Sequence, residues 1–487
     1  MGSVAIWRVA LSAGALSLSL TAAGAQQPPP PEDERPAAAE QAVGPAPGAA
    51  TLSLAQAVVL ALKKNYGLLA AADGVQSARV NYTAARAQFY PQLTPRYQRS
   101  AEESSFAVEA SQRVPWTGGS LSVSALMRSL PGTDLALTRS TGMQLLLSQP
   151  LLRGFGPNAA HYALRNSRRA QQAQERAYEL GRQRLAVDVA RSFYQIVQQR
   201  QLLAVARQSL QRSQSLVKAS EARLQVGLVS KLDVFRAELQ ASQAQDAMVR
   251  SQAALDTALE QFRVLLGLSP TEPLEPEGVE LADELAGDGE PLETLLERAR
   301  GRRLELQESR DQVDDAQRSA SLARQNLLPQ LDLNLGLTQG GFGTTFTNAF
   351  TTDRRVNLFF SASYPVERSA ERASRAVAEI EVAARARAVR QQELQVEGEV
   401  RAAVRELERI RKSVELQKKG VEVAEQQRRL ATLRYQRGLA SNFDVVDAEG
   451  SLVLARSALV NLLTSYQVAR IELMRVTGGL DVEQEFK

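Results

Sequence analysis

The sequence predicts a mainly α fold with a small membrane β portion, written twice along one chain. Three observations predict it. One short stretch occurs in two copies, at residues 223–238 (RLQVGLVSKLDVFRAE) and 434–449 (RYQRGLASNFDVVDAE). Two long segments, 158–225 and 367–436, are almost free of Gly and Pro and carry a seven-residue apolar repeat. Ahead of each long segment, the hydrophobic period changes from helical to two.

The repeated stretch reads as the tip of a helical hairpin. Nine of its sixteen positions are identical without a gap, enough to require one local structure in both copies. Gly227 and Gly438 suit the left-handed residue just past a helix end. Ser230 and Ser441 follow, and Asp233 and Asp444 stand three residues further on. That is capping-box spacing, with a hydroxyl on one orphan N–H and a carboxylate reaching back to another.

The segments leading into the tips predict long coiled-coil helices. Val189, Ile196, Leu203, Leu210, Val217 and Leu224 recur every seven residues. Ala206, Ser213 and Ser220 lie between them, small enough for a helix to face neighbours on more than one side. A shorter helix returns after each tip, over 230–265 and 441–476.

The chain begins with a secretory signal at 1–25: Arg8, an apolar stretch, and Ala23-Gly24-Ala25 as a small-residue cleavage site. Residues 26–50 read as a disordered Pro- and Ala-rich linker. The first repeat is expected over 51–285 and the second over 286–487, each running helix, strand pair, hairpin. Helical segments 52–90 and 290–328 match at a constant offset of 238 and end in Pro91-Gln92-Leu93 and Pro329-Gln330-Leu331. Such a long period is a two-fold duplication rather than a solenoid. Strands are expected at 120–127 and 142–149 in the first repeat, and at 331–338 and 356–364 in the second. Residues 95–113 leave room for a further hairpin without a place in the sheet. The strand lengths fit a membrane barrel, apolar out and polar in. A soluble two-sided sheet is the other reading, although a pair of strands is marginal alone. Trp116, Phe359, Phe360 and Tyr364 are candidates for an interfacial aromatic belt. After residue 25, no stretch reads as a membrane-spanning helix.

Composition narrows the chemistry. The 487 residues include no Cys and one His, which excludes disulfides, Cys metal sites, thiol nucleophiles and a Cys-linked lipid anchor. A net charge of +4, with no basic patch interleaved with aromatics, argues against nucleic acid as a partner. No nucleophile–base pair, phosphate loop or metal spacing stands out, so no enzyme activity, catalytic residue, cofactor or metal is expected. His161 reads as a surface or structural residue.

The order of elements resembles the TolC-like outer-membrane efflux family. The residues carrying the resemblance are 52–58 (LSLAQAV), both Pro-Gln-Leu endings, Ser148-Gln149-Pro150-Leu151, and the two tips. It covers residues 51 to about 479. It implies a homotrimer in the outer membrane of a Gram-negative bacterium, surrounded by outer-membrane lipid. Four strands per protomer would form one shared twelve-stranded barrel, and the hairpins a trimeric α-barrel tapering through the periplasm. The implied function is the channel-tunnel of a tripartite efflux or secretion system, with a periplasmic adaptor and an inner-membrane pump as partners. The rival reading is a periplasmic coiled-coil adaptor or scaffold without a channel. Against it, an adaptor of that kind has one hairpin, and this chain has two.

The resemblance also implies site residues. Asp233 and Asp444 stand in both tips, so helix capping accounts for them. Asp447 has Arg236 as its counterpart, so the shared fold does not require its carboxylate. Asp444 and Asp447, three apart, share a helix face and would narrow the tunnel entrance as a cation-selective constriction. Tyr435 and Asp233 match a hydrogen-bonded gate pair. The family's gate Arg is replaced by Ala440, with Arg437 nearby to substitute. Arg223, Leu224, Gly227, Leu228, Ser230, Arg434, Gly438, Leu439 and Ser441 resemble the adaptor-contact motif.

Overall fold

Each repeat opens with a broken helix. In the first, β1 (Ala50–Leu52) leads into α1 (Leu54–Lys64) and α2 (Tyr66–Ala87). Ser53 and Gln56 form a capping box at the start of α1, each side chain satisfying the other's backbone N–H. Asn65 separates the two helices. Its Oδ1 accepts from the Leu68 N–H at 3.0 Å, and its Nδ2 donates to the Leu265 carbonyl at 2.9 Å. One side chain therefore caps α2 and ties it to the far end of the first hairpin. In the second repeat α6 (Leu292–Arg302) and α7 (Leu304–Gln325) occupy the equivalent places. This computed structural model describes residues 50–100, 103–131, 137–277, 290–343, 345 and 353–485. The expected signal, nearly all of the N-terminal linker and most of the loop around 344–352 lie outside the described residues.

Six strands form one antiparallel sheet. They are β2 (Gln92–Arg99), β3 (Ser104–Arg113), β4 (Ser120–Pro131), β5 (Leu137–Pro150), β7 (Gln330–Gly343) and β8 (Asp353–Ser363), hydrogen-bonded in that order. β6 (Leu274–Pro276) pairs separately, in parallel, with β1. The sheet therefore has six strands where four per protomer were expected. The hairpin suspected at 95–113 is real and forms one end of the sheet. Pro95 and Arg99, on the same face as Leu93, interrupt its hydropathy and mask the alternation.

The register shows what the sheet is for. Leu93, Ala110, Val123, Leu145, Leu337 and Val356 lie opposite one another in a row crossing all six strands. The adjacent row is Thr94, Glu109, Ser124, Gln144, Thr338 and Arg355. Opposed residues of an antiparallel pair share a face and successive residues alternate. One face of the sheet is therefore apolar and the other polar from edge to edge. Twelve residues, as in β4, extend roughly 40 Å, a length that at a tilt near 40° matches the thickness of a hydrocarbon layer. A Cβ at Gly340 of β7 would run into the Thr141 carbonyl of β5. Alternation also corrects the aromatic belt. Phe359 lies opposite Asn334 on the polar face, so it cannot share a lipid belt with Phe360 on the other face.

Below the sheet stand the hairpins. The first is α4 (Tyr162–Gln225) and α5 (Lys231–Leu265), preceded by the short α3 (Pro157–Ala160). The second is α8 (Ser369–Gln436) and α9 (Asn442–Val476), and α10 (Val482–Glu485) follows. At 1.5 Å per residue α4 and α8 are each about 100 Å long. Val189, Ile196 and Leu203 are buried as the heptad requires, and so are Ala206, Ser213 and Ser220. The small residues permit α4 to lie close to α9 as well as α5. α9 corrects one expectation: by length and composition alone it could cross a membrane. Part of its apolar surface enters helix packing, with Leu463, Tyr466 and Ile471 joining the core formed by α1, α4 and α5.

Sheet and helices are joined by polar contacts. Arg368 stacks over the Tyr364 ring at 4.6 Å, donates to its hydroxyl at 2.8 Å and reaches the Leu327 carbonyl. Arg169 and Arg176 of α4 bind Asp311 of α7, and Arg176 also binds Glu308. His161 sits between α3 and α4 against the Phe89 ring, a structural role.

Candidate functional site: the paired hairpin tips

Both tips have the geometry their sequences predict. Gly227 and Gly438 adopt φ of 70° and 74°. The Leu228 N–H donates to the Arg223 carbonyl at 2.9 Å, and Leu439 donates to Arg434 at 2.9 Å. These are the six-to-one bonds of a Schellman turn, which satisfy carbonyls that the helix end orphans. The Ser230 N–H donates to Asp233 at 3.1 Å and the Ser441 N–H to Asp444 at 2.8 Å, closing a capping box in each copy. The Ser441 hydroxyl and backbone N–H hold the Asp444 carboxyl below the usual carboxylate range.

The turns project apolar side chains into solvent. Leu228 is 71% exposed and Leu439 74% exposed, and Phe235 and Phe443 are exposed beside them. Exposed apolar clusters rimmed by polar groups mark interaction surfaces.

Within one protomer the two tips are fastened together. Arg223 donates to the carbonyls of Tyr435 and Gln436 at 2.6 and 2.7 Å, and its guanidinium lies 4.4 Å from the Tyr435 ring centroid. The Tyr435 ring is 4% exposed, and its hydroxyl pairs with the Ser220 hydroxyl at 3.0 Å. The expected partner, Asp233, is engaged in its own cap. Its backbone carbonyl instead accepts from Asn442 Nδ2 at 2.6 Å, and Asn442 is 1% exposed. Further up, Arg212 of α4 meets the buried Glu449 of α9 at 2.7 Å. A cavity of about 450 Å³ lies between these helices, bounded by Arg212, Arg223, Tyr435 and Glu449.

Arg223, from the first hairpin, thus holds Tyr435 where Arg437 was the expected substitute; the Arg437 side chain is exposed. Asp447 is also exposed, one helical turn from Asp444. Its counterpart Arg236 lies 3.9 Å from Asp233. Ser220, Arg212, Asn442 and Glu449 escaped the sequence reading. A signal for three of them was present: at an offset of 211, Ser220, Arg212 and Asn442 face Ala431, Val423 and Lys231. Glu449 gave no such signal, because its counterpart Glu238 is also Glu.

Known proteins share this fold. A sequence profile of the outer membrane efflux proteins matches residues 57–268 and 295–479, well over half of the chain and one segment in each half. Outer membrane protein TolC of Escherichia coli (strain K12) is 22% identical over 338 residues, covering 66% of either chain. The solved structure of CusC superposes with a TM-score of 0.67 at 21% identity, over 90% of this chain and 96% of CusC. VceC from Vibrio cholerae gives 0.68 at 17% identity, over 88% and 96%. At such identities the structures speak for the fold, and the profile match speaks for descent. The chain belongs to the outer membrane efflux protein family.

Proposed function

We propose that this outer-membrane efflux protein is the channel-tunnel of a tripartite efflux or secretion system. Three copies close a barrel in the outer membrane, and their hairpins form an α-helical tunnel through the periplasm. Substrate enters from an inner-membrane pump held by a periplasmic adaptor and leaves at the cell exterior. One observation carries this reading. A single chain joins a sheet that is apolar on one face to two hairpins about 100 Å long that end in matched tips. The exposed Leu228 and Leu439 give an adaptor a repeated apolar contact at each tip. Arg223, Ser220 and Tyr435 keep the two hairpins together, which is the closed state of a gate. Asp444 and Asp447, repeated around a three-fold axis, make the entrance negative and select cations.

The test is the state of the purified protein. An open strand edge is not tolerated in lipid, so the protein should leave the outer membrane only with detergent and run as a trimer. A monodisperse monomer in the detergent-free soluble fraction overturns the reading.

A further inference from the structure

The first repeat supplies four strands of this sheet and the second two, and β2 and β3 form the hairpin at one end. We infer that they are part of the barrel wall, with β2 of one copy paired to β8 of the next, so that three copies close an eighteen-stranded barrel. The inference rests on the trimeric channel proposed above and specifies its seam.

Three observations support it. First, β2 and β8 stand at the two ends of the sheet. Every neighbouring pair is antiparallel, so with six strands the end strands run in opposite directions. β8 and the next copy's β2 can therefore continue the same antiparallel ladder. In hydrocarbon, their outer N–H and C=O groups must find such partners. Pro95 removes one donor from β2, at most one bond of the seam.

Second, β2 and β3 carry the wall's two faces in register. Leu93 and Ala110 extend the apolar row, and Thr94 and Glu109 extend the polar row beside it. Of the hairpin's charges, Arg96, Glu109 and Arg113 lie on the polar face and Arg99, the last residue of β2, on the apolar one; a hairpin outside the wall has no need of that bias.

Third, the duplication supplies a template for the seam. α7 runs into β7, which pairs along its length with β5, the last strand of the first repeat. α2 runs into β2 in the same manner, and β8 is the last strand of the second repeat. The rim below is also continuous. The connector after β3 touches the one after β5, with the Gly156 N–H on the Thr117 carbonyl at 3.1 Å and Gln149 Nε2 on the same oxygen at 3.3 Å. The β5–β7 ladder opposes Gln149 to Leu333 and Ser148 to Asn334. Carried over at the offset of 238 and aligned at Pro150 and Pro365, that register opposes Tyr97 to Ala362 and Gln98 to Ser361 across the seam. Tyr97 and Ala362 both belong to the apolar face, and Gln98 and Ser361 both to the polar face. The transferred register thus agrees with the alternation, although alternation was not used to obtain it. Barrel diameter grows roughly in proportion to strand number, so eighteen strands give a mouth about 1.5-fold wider than twelve.

The absence of Cys makes the seam testable by cross-linking in intact cells. Full-length protein carrying Gln98→Cys with Ser361→Cys, or Arg96→Cys with Ser363→Cys, is oxidised and run on a denaturing gel. Most of the chain is expected in dimer and trimer bands that reducing agent collapses. The control pairs Ser122→Cys on β4 with Ser361→Cys, as in a twelve-stranded wall that excludes β2 and β3. Multimers from the control alone, or none from either seam pair in a protein that still purifies as a trimer, overturn the inference and leave the channel standing. Loss of the trimer in the Cys-free parent overturns both. A strand count by cryo-electron microscopy in nanodiscs decides independently of the cysteines: eighteen supports the seam, and twelve with the first hairpin outside the wall overturns it.

Discussion

The two hairpin tips are copies of one turn, yet they have diverged into two different parts. Where they agree, at Gly227 and Gly438, Ser230 and Ser441, Asp233 and Asp444, the residues build the Schellman turn and the capping box. Other residues reach outside their own hairpin, and there the copies behave differently even where the residue is the same. Ser220 and Arg223 of the first hairpin grip Tyr435 and Gln436 of the second, while Arg434, the copy of Arg223, makes no such grip. The shared turn residues thus report local folding, while the contacts beyond the turn have diverged, at Arg223 and Arg434 without any change of residue.

Removing the grip should give the largest effect. Arg223→Ala loses two charge-assisted bonds and a stacked ring, about 2–3 kcal/mol. Arg434→Ala should stay within about 0.5 kcal/mol. Single-channel conductance in planar bilayers should rise for the first and match the parent for the second. Equal behaviour of the two variants would show that the tips never diverged in function.

Substitution at a shared position should injure the turn instead. Gly438→Val must hold a β-branched residue at positive φ, at a cost of roughly 1–2 kcal/mol. Space is not the obstacle, since no other group lies within 4 Å of a Cβ built there. Membrane insertion should be normal and export lost, with Gly438→Asn retaining most of it, because Asn tolerates the left-handed region. An asparagine variant as impaired as valine would mean that the damage is not conformational.

Asp447 sharpens the contrast from the other side, because the turn does not use it. Asp447→Ala should fold, insert and assemble as the parent does, while its channels lose part of their cation preference. The reversal potential in a salt gradient measures this. No change there, with no change in block by multivalent cations, would place Asp447 away from a constricted lumen.

The smallest effect concerns acid. Folding depresses the Asp444 pKa through Ser441, so the native state favours the charged form. Its contribution is complete above the ordinary carboxylate pKa and is lost as pH falls through the lowered one. Asp444→Asn should flatten the acid limb of trimer stability slightly. An unchanged limb would assign acid sensitivity to other carboxylates.

Much of this fold was legible because it rests on local rules repeated twice. The heptads of α4, the Gly-turn-Ser-Asp tips and the Pro-Gln-Leu helix ends each combine a short-range cause with a second copy to check it. Strands β2 and β3 were not placed because their alternation is weak, with Pro95 and Arg99 on the apolar face and Ala107 on the polar one, and only the ladder to β4 restores the phase. The tip residues Gly227, Ser230 and Asp233 could be read from spacing. The Arg223–Tyr435 contact could not, since it joins residues 212 apart in sequence through packing that no periodicity encodes.

The short clasp between β1 and β6 has a consequence for the order in which the molecule forms. Thr51 cannot find Glu275 until the whole first repeat separates them in sequence. Closing so long a loop from an unstructured chain carries an entropic penalty of order 5 kcal/mol, far more than three paired residues return. The clasp can therefore only follow the collapse of α1, α4 and α5 onto one another, which brings its two strands together beforehand. It is a late latch on a repeat already folded, and it closes at Leu274–Pro276, ahead of α6, where the second repeat's helices begin.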